Sequence, residues 1–317
     1  MLKVVRVSLL ALVLVAAIRA QAAQLSTDAR AAIPHDVQQL VVIDNRALQN
    51  STVGMNMRDR VIPAGLKKFE DTLARSGLDY NHDVDQLAFA LMSSKDSGDH
   101  SMTIGIAQGQ FPVQEILANL GKQKIKPATV RTNKLYPLPK TGMVVCFVDS
   151  STMLFGGFNG VKAALDARDG AAANLLSNAP MMDAMNAVDS EALWSILDGK
   201  GTQTMVRQMM GEAGSVADFD TVRKRLLASS YSMNFQHGVK FDLTLSTGDT
   251  FASTTLSSLL SAAVELRKMS ASNEEKQALS STSIDSDAGG RLSLHFAASD
   301  GEFNTLLHSP LFQSMTQ

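Results

Sequence analysis

Four candidates for acid–base chemistry stand out among the acidic and histidine residues of this sequence, and they fall in two short stretches. Asp44 stands alone, whereas His82, Asp83 and Asp85 follow about 40 residues later. A carboxylate or an imidazole held beside a substrate can act as a general base and activate water. If the fold brings the two stretches together, these residues could form the site of a hydrolase. We keep this activity as the alternative hypothesis.

Metal-binding patterns are incomplete throughout the sequence. None of the six histidines belongs to an H-x-H or HExxH zinc pattern. Asn81-His-Asp-Val-Asp85 places oxygen side chains at alternate positions, but a calcium EF-hand loop would need Gly and Glu where Gln86 and Met92 stand. The acidic stretch Asp285–Gly290 lacks a closing ligand. The sequence therefore predicts no metal ion and no cofactor.

The glycine and serine motifs of common enzymes are also missing. The sequence has no G-x-S-x-G elbow and no Ser-x-x-Lys pair. No Gly-Lys-Ser/Thr follows Gly156-Gly-Phe-Asn-Gly160, so these glycines indicate a tight turn from a strand into a helix capped by Asn159. Gly199-Lys-Gly-Thr202 could cradle an anion at a helix start, but it lacks the upstream glycine of a P-loop. The single Cys146 lies in an apolar strand and is interpreted as a buried small hydrophobe.

Methionines form one cluster that allows three interpretations. Its members are Met181, Met182, Met185, Met205, Met209 and Met210. Thioethers bind Cu(I), and they also form adaptable apolar surfaces for partners. Core filling on helical faces is the third interpretation, and the helical spacing favours it.

The first 22 residues have the features of a secretory signal peptide. Lys3 and Arg6 precede an apolar run from Val7 to Ile18, which is too short to span a bilayer. Ala20-Gln21-Ala22 supplies the small residues that signal peptidase recognises, so we predict cleavage before Ala23. An uncleaved anchor is the alternative. The predicted location is the periplasm or the outside of the cell.

The charge of the remaining chain narrows the choice of partners. Without residues 1–22 it contains 26 basic and 31 acidic residues, a formal charge of −5. This balance argues against nucleic acid and anionic membranes as partners, because both need a basic face. A single cysteine also excludes an intramolecular disulfide.

Alternating and helical apolar patterns predict an α+β fold of two similar halves, residues 23–170 and 171–317. Ile104–Phe111 resembles Leu243–Phe251, and Leu154–Val161 resembles Leu294–Phe303, each about 140 residues later. The pattern indicates an internal repeat. Each half should be an antiparallel sheet with helices packed on one face. Apolar residues from Met57 to Leu73 predict one amphipathic helix in the first half.

Short patterns predict several further elements. Alternating apolar residues in Leu87–Leu91 and Met102–Ile106 predict two antiparallel strands joined by the polar turn Ser93–Asp99. Leu292, Leu294 and Phe296 alternate as another strand. Ser299-Asp-Gly-Glu302 is a capping box that predicts the start of a last helix.

Several short segments resemble exported bacterial proteins of unassigned activity that are built from two α+β repeats. The segments are Ile33–Val37, Val42–Ala47, Gly77–Tyr80, Asp83–Asp85 and Glu302–Phe312. This resemblance implies an architecture and no chemistry. Together with the lack of catalytic motifs, it favours a non-catalytic binding or structural protein of the cell envelope. Such a protein would bind a partner protein or an apolar ligand in the groove between its halves.

Overall fold

A computed structural model describes residues 24–93, 101–210 and 219–309 of the chain. The predicted signal peptide, residues 1–22, therefore lies outside the described residues, as do residues 94–99 of the turn predicted between the first two long strands. The described chain forms one antiparallel sheet of twelve strands. These are β1 Gln39–Asp44, β2 Val84–Ser93, β3 Ser101–Gly109, β4 Ala128–Val130, β5 Asn133–Pro137, β6 Val144–Phe147, β7 Thr152–Gly156, β8 Leu193–Leu197, β9 Leu226–Asn234, β10 Val239–Thr247, β11 Ser283–Ser286 and β12 Arg291–Ala298.

In the described part of the chain, helices lie before β1, after β12 and in five of the connections between consecutive strands. They are α1 Thr27–Ala31, α2 Asn45–Gln49, α3 Thr52–Val61, α4 Ala64–Ala74, α5 Tyr80–Asp83, α6 Val113–Lys122, α7 Phe158–Arg168, α8 Ala179–Asn186, α9 Gly199–Met210, α10 Phe219–Arg223, α11 Thr250–Ser270, α12 Asn273–Leu279 and α13 Asp300–His308. A 3₁₀ turn, Leu175–Ser177, precedes α8. The chain is thus a mixed α+β protein, as the apolar patterns predict.

Helix boundaries follow local chemistry, with two departures from the predictions. Ser299 and Glu302 form the predicted capping box at the start of α13, and Asp249 caps α11. The single helix predicted from Met57 to Leu73 is wrong, because Pro63 separates α3 from α4. The predicted cap Asn159 is also wrong, since α7 begins at Phe158 and Gly157, two residues before Asn159, is its N-cap.

The sheet is continuous across the predicted boundary between the halves, so the prediction of a separate sheet in each half is wrong. Strand β1 pairs with β8, and Val41 lies opposite Ser195 at the centre of this pair. Counting outward from β1, the next strands are β2, β3, β7 and β6; counting outward from β8, they are β9, β10, β12 and β11. Strands β5 and β4 extend the first half further.

The two faces of the sheet differ between the halves. We call the face that carries Phe89 and Phe155 the front face, and the face that carries Ala88 and Leu154 the back face. In the first half α4 and α6 cover the front face, whereas α1, α7 and α8 cover the back face. The expectation of helices on one face fails here because Leu87–Leu91 is apolar at every position, as in strands buried on both sides.

Beyond β8, whose back face is covered by α8, the second half follows the one-sided pattern that was predicted. Helices α9, α10 and α11 pack on its front face around Leu243 and Leu245. Its back face carries exposed polar side chains such as Lys240, Asp242 and His295. The alternation of apolar and polar residues along β10 and β12 produces this difference.

Candidate functional site

The structure assigns Asp44, Asp83, Asp85 and His82 to one end of β1 and β2, where Asp44 lies opposite Gln86. Asp44 Oδ1 accepts a hydrogen bond of 2.8 Å from the Ala47 amide and so caps α2. Asp83 Oδ2 accepts one of 2.8 Å from the Asp79 amide. Both carboxylates are buried and close local turns. These are the contacts of structural caps.

The other two members of this group face outward. Asp85 forms an ion pair with Arg46 at 2.5 Å. The His82 ring is exposed, and its Nδ1 lies 2.9 Å from Asp83 Oδ1. This hydrogen bond raises the pKa of His82. The pairing of β1 with β2 brings the four residues near one another, but their contacts give no support to a hydrolytic site.

The methionine cluster divides between two cores. Met181 and Met185 on α8 are buried in the back-face core of the first half. Met205 on α9 packs against the front-face core of the second half, and the side chains of Met209 and Met210 lie outside the described residues. Within the described ranges no group of three or more His, Cys, Asp or Glu side chains could hold a metal ion.

The glycines at the start of α9 are explained by packing. A Cβ atom on Gly201 would lie 2.3 Å from the carbonyl oxygen of Gln38, so only glycine fits where α9 crosses the start of β1. Asp198 Oδ1 accepts a 2.7 Å hydrogen bond from the Gly201 amide. Because the chain's own carboxylate occupies the N-terminus of α9, the hypothesis of an anion cradle loses its support.

Cys146 lies on β6 with no exposed surface. Burial raises the pKa of its thiol to about 11. We expect the thiol of the folded protein to react with 5,5′-dithiobis(2-nitrobenzoic acid) at pH 8 at least about 100-fold more slowly than in urea, because the thiolate is the reactive form. Equal rates in the two conditions would contradict the described packing of β6.

A groove of about 700 Å³ opens on the front face of the first half. The start of α4 forms one wall with Pro63 and Leu66, and the β5–β6 loop contributes Met143. Strands β2 and β3 provide Phe89 and Thr103. The turn Gly156–Gly160 between β7 and α7 completes the groove.

Aromatic rings form the floor of this groove. The Phe155 ring stacks on Phe69 at 4.9 Å between centroids and meets Phe89 edge-on at 5.9 Å. Phe155 lies opposite Gly105 on the neighbouring strand. A Cβ atom on Gly105 would come within 2.2 Å of the Phe155 ring, so this glycine allows the ring to lie flat across β3. At the mouth of the groove, Phe158 is 42% exposed.

A half-buried polar network holds the wall formed by α4. Arg58 of α3 donates two hydrogen bonds to the Glu70 carboxylate of α4, at 2.6 and 2.7 Å. Arg58 Nε donates a third to the Tyr80 hydroxyl at 3.2 Å, and the guanidinium stacks 4.3 Å from the centre of the Tyr80 ring. Burial raises the pKa of Glu70 in spite of the neighbouring guanidinium. The network fixes the two helices on either side of Pro63.

Sequence reasoning missed this groove. Its one visible signal was the run Gly156–Gly160, which we interpreted as a tight turn only. The other walls come from segments up to about 90 residues away along the chain. Their proximity depends on the pairing of β2, β3 and β7.

The fold and the groove define the chain as an α+β protein with a single wide antiparallel sheet. Among solved structures it is similar to TP0453. Crystal form III of TP0453 gives a TM-score of 0.53 at 11% identity, covering 89% of this chain and 98% of that one. Crystal form I gives a TM-score of 0.50 at 12% identity, covering 92% and 99%. At this identity the similarity shows the fold alone.

Comparison with protein families and with curated proteins identifies no family for this chain. No protein-family model matches the chain, and no curated protein matches it. Among the helices that the structure describes, none combines the length and the apolar character needed to cross a membrane.

Proposed function

We propose that this chain is an exported, non-catalytic binding protein of the cell envelope that holds an apolar ligand in the front-face groove. The observation that carries this proposal is the composition of the groove. Its walls and floor contain Leu66, Phe89, Met143, Phe155 and Phe158, and no titratable side chain of the described residues lines it. General acid–base catalysis needs a titratable group. An apolar groove without one favours binding.

The size of the groove also supports a small ligand. Its volume lies within the roughly 300–1,000 Å³ of ligand pockets in proteins. Thr103, Thr141 and Asn159 add a few polar contacts at its rim. The ligand expected from this chemistry is a mostly apolar molecule with a small polar end. We place the site in the first half, on β2, β3 and β7, whereas the sequence suggested the groove between the halves.

Export is the second part of the proposal. It rests on the basic start, the apolar run and the Ala20-Gln21-Ala22 pattern of the first 22 residues. The mature protein is then expected to begin at Ala23, in the periplasm or outside the cell.

We also infer that the two halves arose by duplication. The matching strand order on either side of the β1–β8 pair supports this inference. In addition, β1 ends at Asp44 and β8 is followed by Asp198, and each carboxylate accepts a hydrogen bond from the amide three residues later. The segment pairs that the sequence singled out fall on β3 and β10, and on β7 and β12.

Phe158→Ser should weaken binding of an apolar ligand. The substitution removes the aromatic side chain at the mouth of the groove, so we expect a loss of about 1.4 kcal/mol, or about tenfold in the dissociation constant. Binding is measured with the uncharged fluorescent probe N-phenyl-1-naphthylamine. The matched control is Phe251→Ser, since Phe251 also lies in the first turn of a helix and is 63% exposed, but away from the groove. Equal effects of the two substitutions would overturn the assignment of the groove.

Native mass spectrometry of the protein purified from its envelope or medium fraction tests the proposal as a whole. A small adduct that leaves on denaturation supports an apolar ligand, and its mass identifies the class. A bound polypeptide in its place would show that the occupant is a partner protein. A bare monomer that also fails to bind the naphthylamine probe would reject the binding function. The same intact mass shows whether the chain begins at Ala23.

A further inference from the structure

Charge is distributed unevenly along this chain. The whole sequence has a formal charge of −2, yet residues 116–148 contain six basic residues and no acidic one. The six are Lys122, Lys124, Lys126, Arg131, Lys134 and Lys140. The small net charge therefore conceals a local basic surface, which our argument from net charge overlooked.

Four of these basic residues, Lys124, Lys126, Arg131 and Lys134, lie beside the two strands at one edge of the sheet. Lys124 and Lys126 belong to the loop between α6 and β4, and Lys134 lies on β5. Strand β4 is the outermost strand at this end. All six side chains are exposed. We call the exposed edge formed by Lys124, Lys126, β4 and Lys134 the basic edge.

Most of the positive charge at this edge is not neutralised by the chain itself. Arg131 pairs with Asp166 and Asp169 of the α7 segment, so it serves to hold the β4–β5 turn. Within the described ranges, Lys124, Lys126, Lys134 and Lys140 form no ion pair with a carboxylate. A cluster of unpaired lysines attracts an anionic partner and accelerates its association.

The backbone of β4 indicates which kind of anionic partner is complementary to the basic edge. Val130 lies opposite Asn133 across a two-residue turn, and Thr129 lies opposite Lys134. In such a hairpin the pair next to the closing pair is not hydrogen-bonded, so the Thr129 amide and carbonyl point away from β5. Ala128 and Thr129 are exposed. Outward peptide groups are complementary to another extended polypeptide.

The lysines disfavour a second copy of this edge. Lysine side chains on an edge are one of the devices that prevent pairing between identical edges, and Lys124, Lys126 and Lys134 lie beside β4 here. Like charges repel another basic edge but attract an acidic strand. We propose that the basic edge binds an acidic, extended segment of a partner protein, which adds to the sheet beside β4.

The probe for this interaction is a fluorescein-labelled 12-residue peptide of alternating Glu and Val, and binding is measured by fluorescence anisotropy. The triple variant Lys124→Gln, Lys126→Gln, Lys134→Gln should weaken binding at least about tenfold. The control is Arg60→Gln, Lys67→Gln, Lys68→Gln, which removes the same charge from the exposed surface of α3 and α4 and should change affinity less than twofold. Circular dichroism confirms that both variants fold.

Two further measurements distinguish an acidic segment that adds to the sheet from a partner held by charge alone. Hydrogen exchange at the Thr129 amide should slow when the peptide binds, which a purely electrostatic contact would not cause. A peptide with Gln in place of Glu should bind at least about tenfold more weakly. The proposal is wrong if the Glu peptide does not bind, if Thr129 is unaffected, or if phosphatidylglycerol vesicles bind with the same lysine dependence while the peptide does not.

Discussion

Trp194→Ala is expected to lower the free energy of unfolding by about 3–5 kcal/mol, the usual cost of removing a buried tryptophan. Trp194 is 1% exposed. It lies on β8 opposite Val42 of β1, in the back-face core that α1, α7 and α8 cover. The residue therefore belongs to the predicted second half by sequence and to the core of the first half by contact.

This position gives the substitution a second consequence. The core around Trp194 joins both halves of one sheet. The variant should therefore unfold in a single cooperative transition, at a lower urea concentration than the original protein. Urea unfolding is followed by far-UV circular dichroism, since Trp194 is the only tryptophan of the chain. Hydrogen exchange should report faster opening of β3 and β10 alike.

A suitable control is Leu227→Ala, an exposed residue at the start of β9. Its effect should stay within about 0.5 kcal/mol. Two separate urea transitions, with only one altered in the Trp194 variant, would show that the halves unfold independently in spite of the shared sheet.

Arg58→Met is expected to destabilise the protein by about 2–4 kcal/mol at pH 7, because it leaves the Glu70 carboxylate without its partner in a largely buried place. In the folded protein only 16% of the Arg58 side-chain surface and 18% of the Glu70 side-chain surface is exposed to solvent. The double variant Arg58→Met, Glu70→Leu should recover most of this loss, since it removes the charge as well as the partner.

The cost of the single variant should depend on pH. Burial already raises the pKa of Glu70, and the hydrogen bonds from Arg58 are what lower it. Without Arg58 the pKa of Glu70 rises further. A carboxyl group whose pKa is higher in the folded state favours folding when protonated, and this contribution is lost as the pH rises through the folded-state pKa. The variant should therefore regain stability as the pH falls from 7 toward the ordinary glutamate value of about 4.3.

Urea unfolding at several pH values measures this effect. If Arg58→Met lowers the free energy of unfolding equally at pH 7 and pH 5, the Glu70 carboxylate must reach water once Arg58 is removed. The same experiment bears on the groove, because this network positions the wall that carries Leu66. The Arg58 variant should bind the naphthylamine probe more weakly, whereas the double variant should bind it nearly as well as the original protein.

Features that depend on residues close together along the chain were predictable from the sequence. The alternation of Leu292, Leu294 and Phe296 indicated β12, and Ser299 with Glu302 indicated the start of α13. The apolar surroundings of Cys146 indicated a buried thiol. Each of these depends on side chains within a few positions of one another, which the order of residues records directly.

The uneven distribution of charge was missed for a different reason. The lysines of the basic edge are visible in the sequence, but the net charge averages them with acidic residues elsewhere. Only their position beside the outermost strand shows that they form one surface.

The sequence by itself determined the class of fold, most strand and helix positions and the lack of known catalytic motifs. The tertiary structure alone decided that the halves share one sheet, that helices cover both faces of the first half and that distant segments enclose a groove. The physical reason is the range of the interactions involved. Strand alternation and capping act between neighbouring residues, whereas the contact of Phe155 with Phe69 joins positions more than 80 residues apart, and it forms only when β7 docks beside β3.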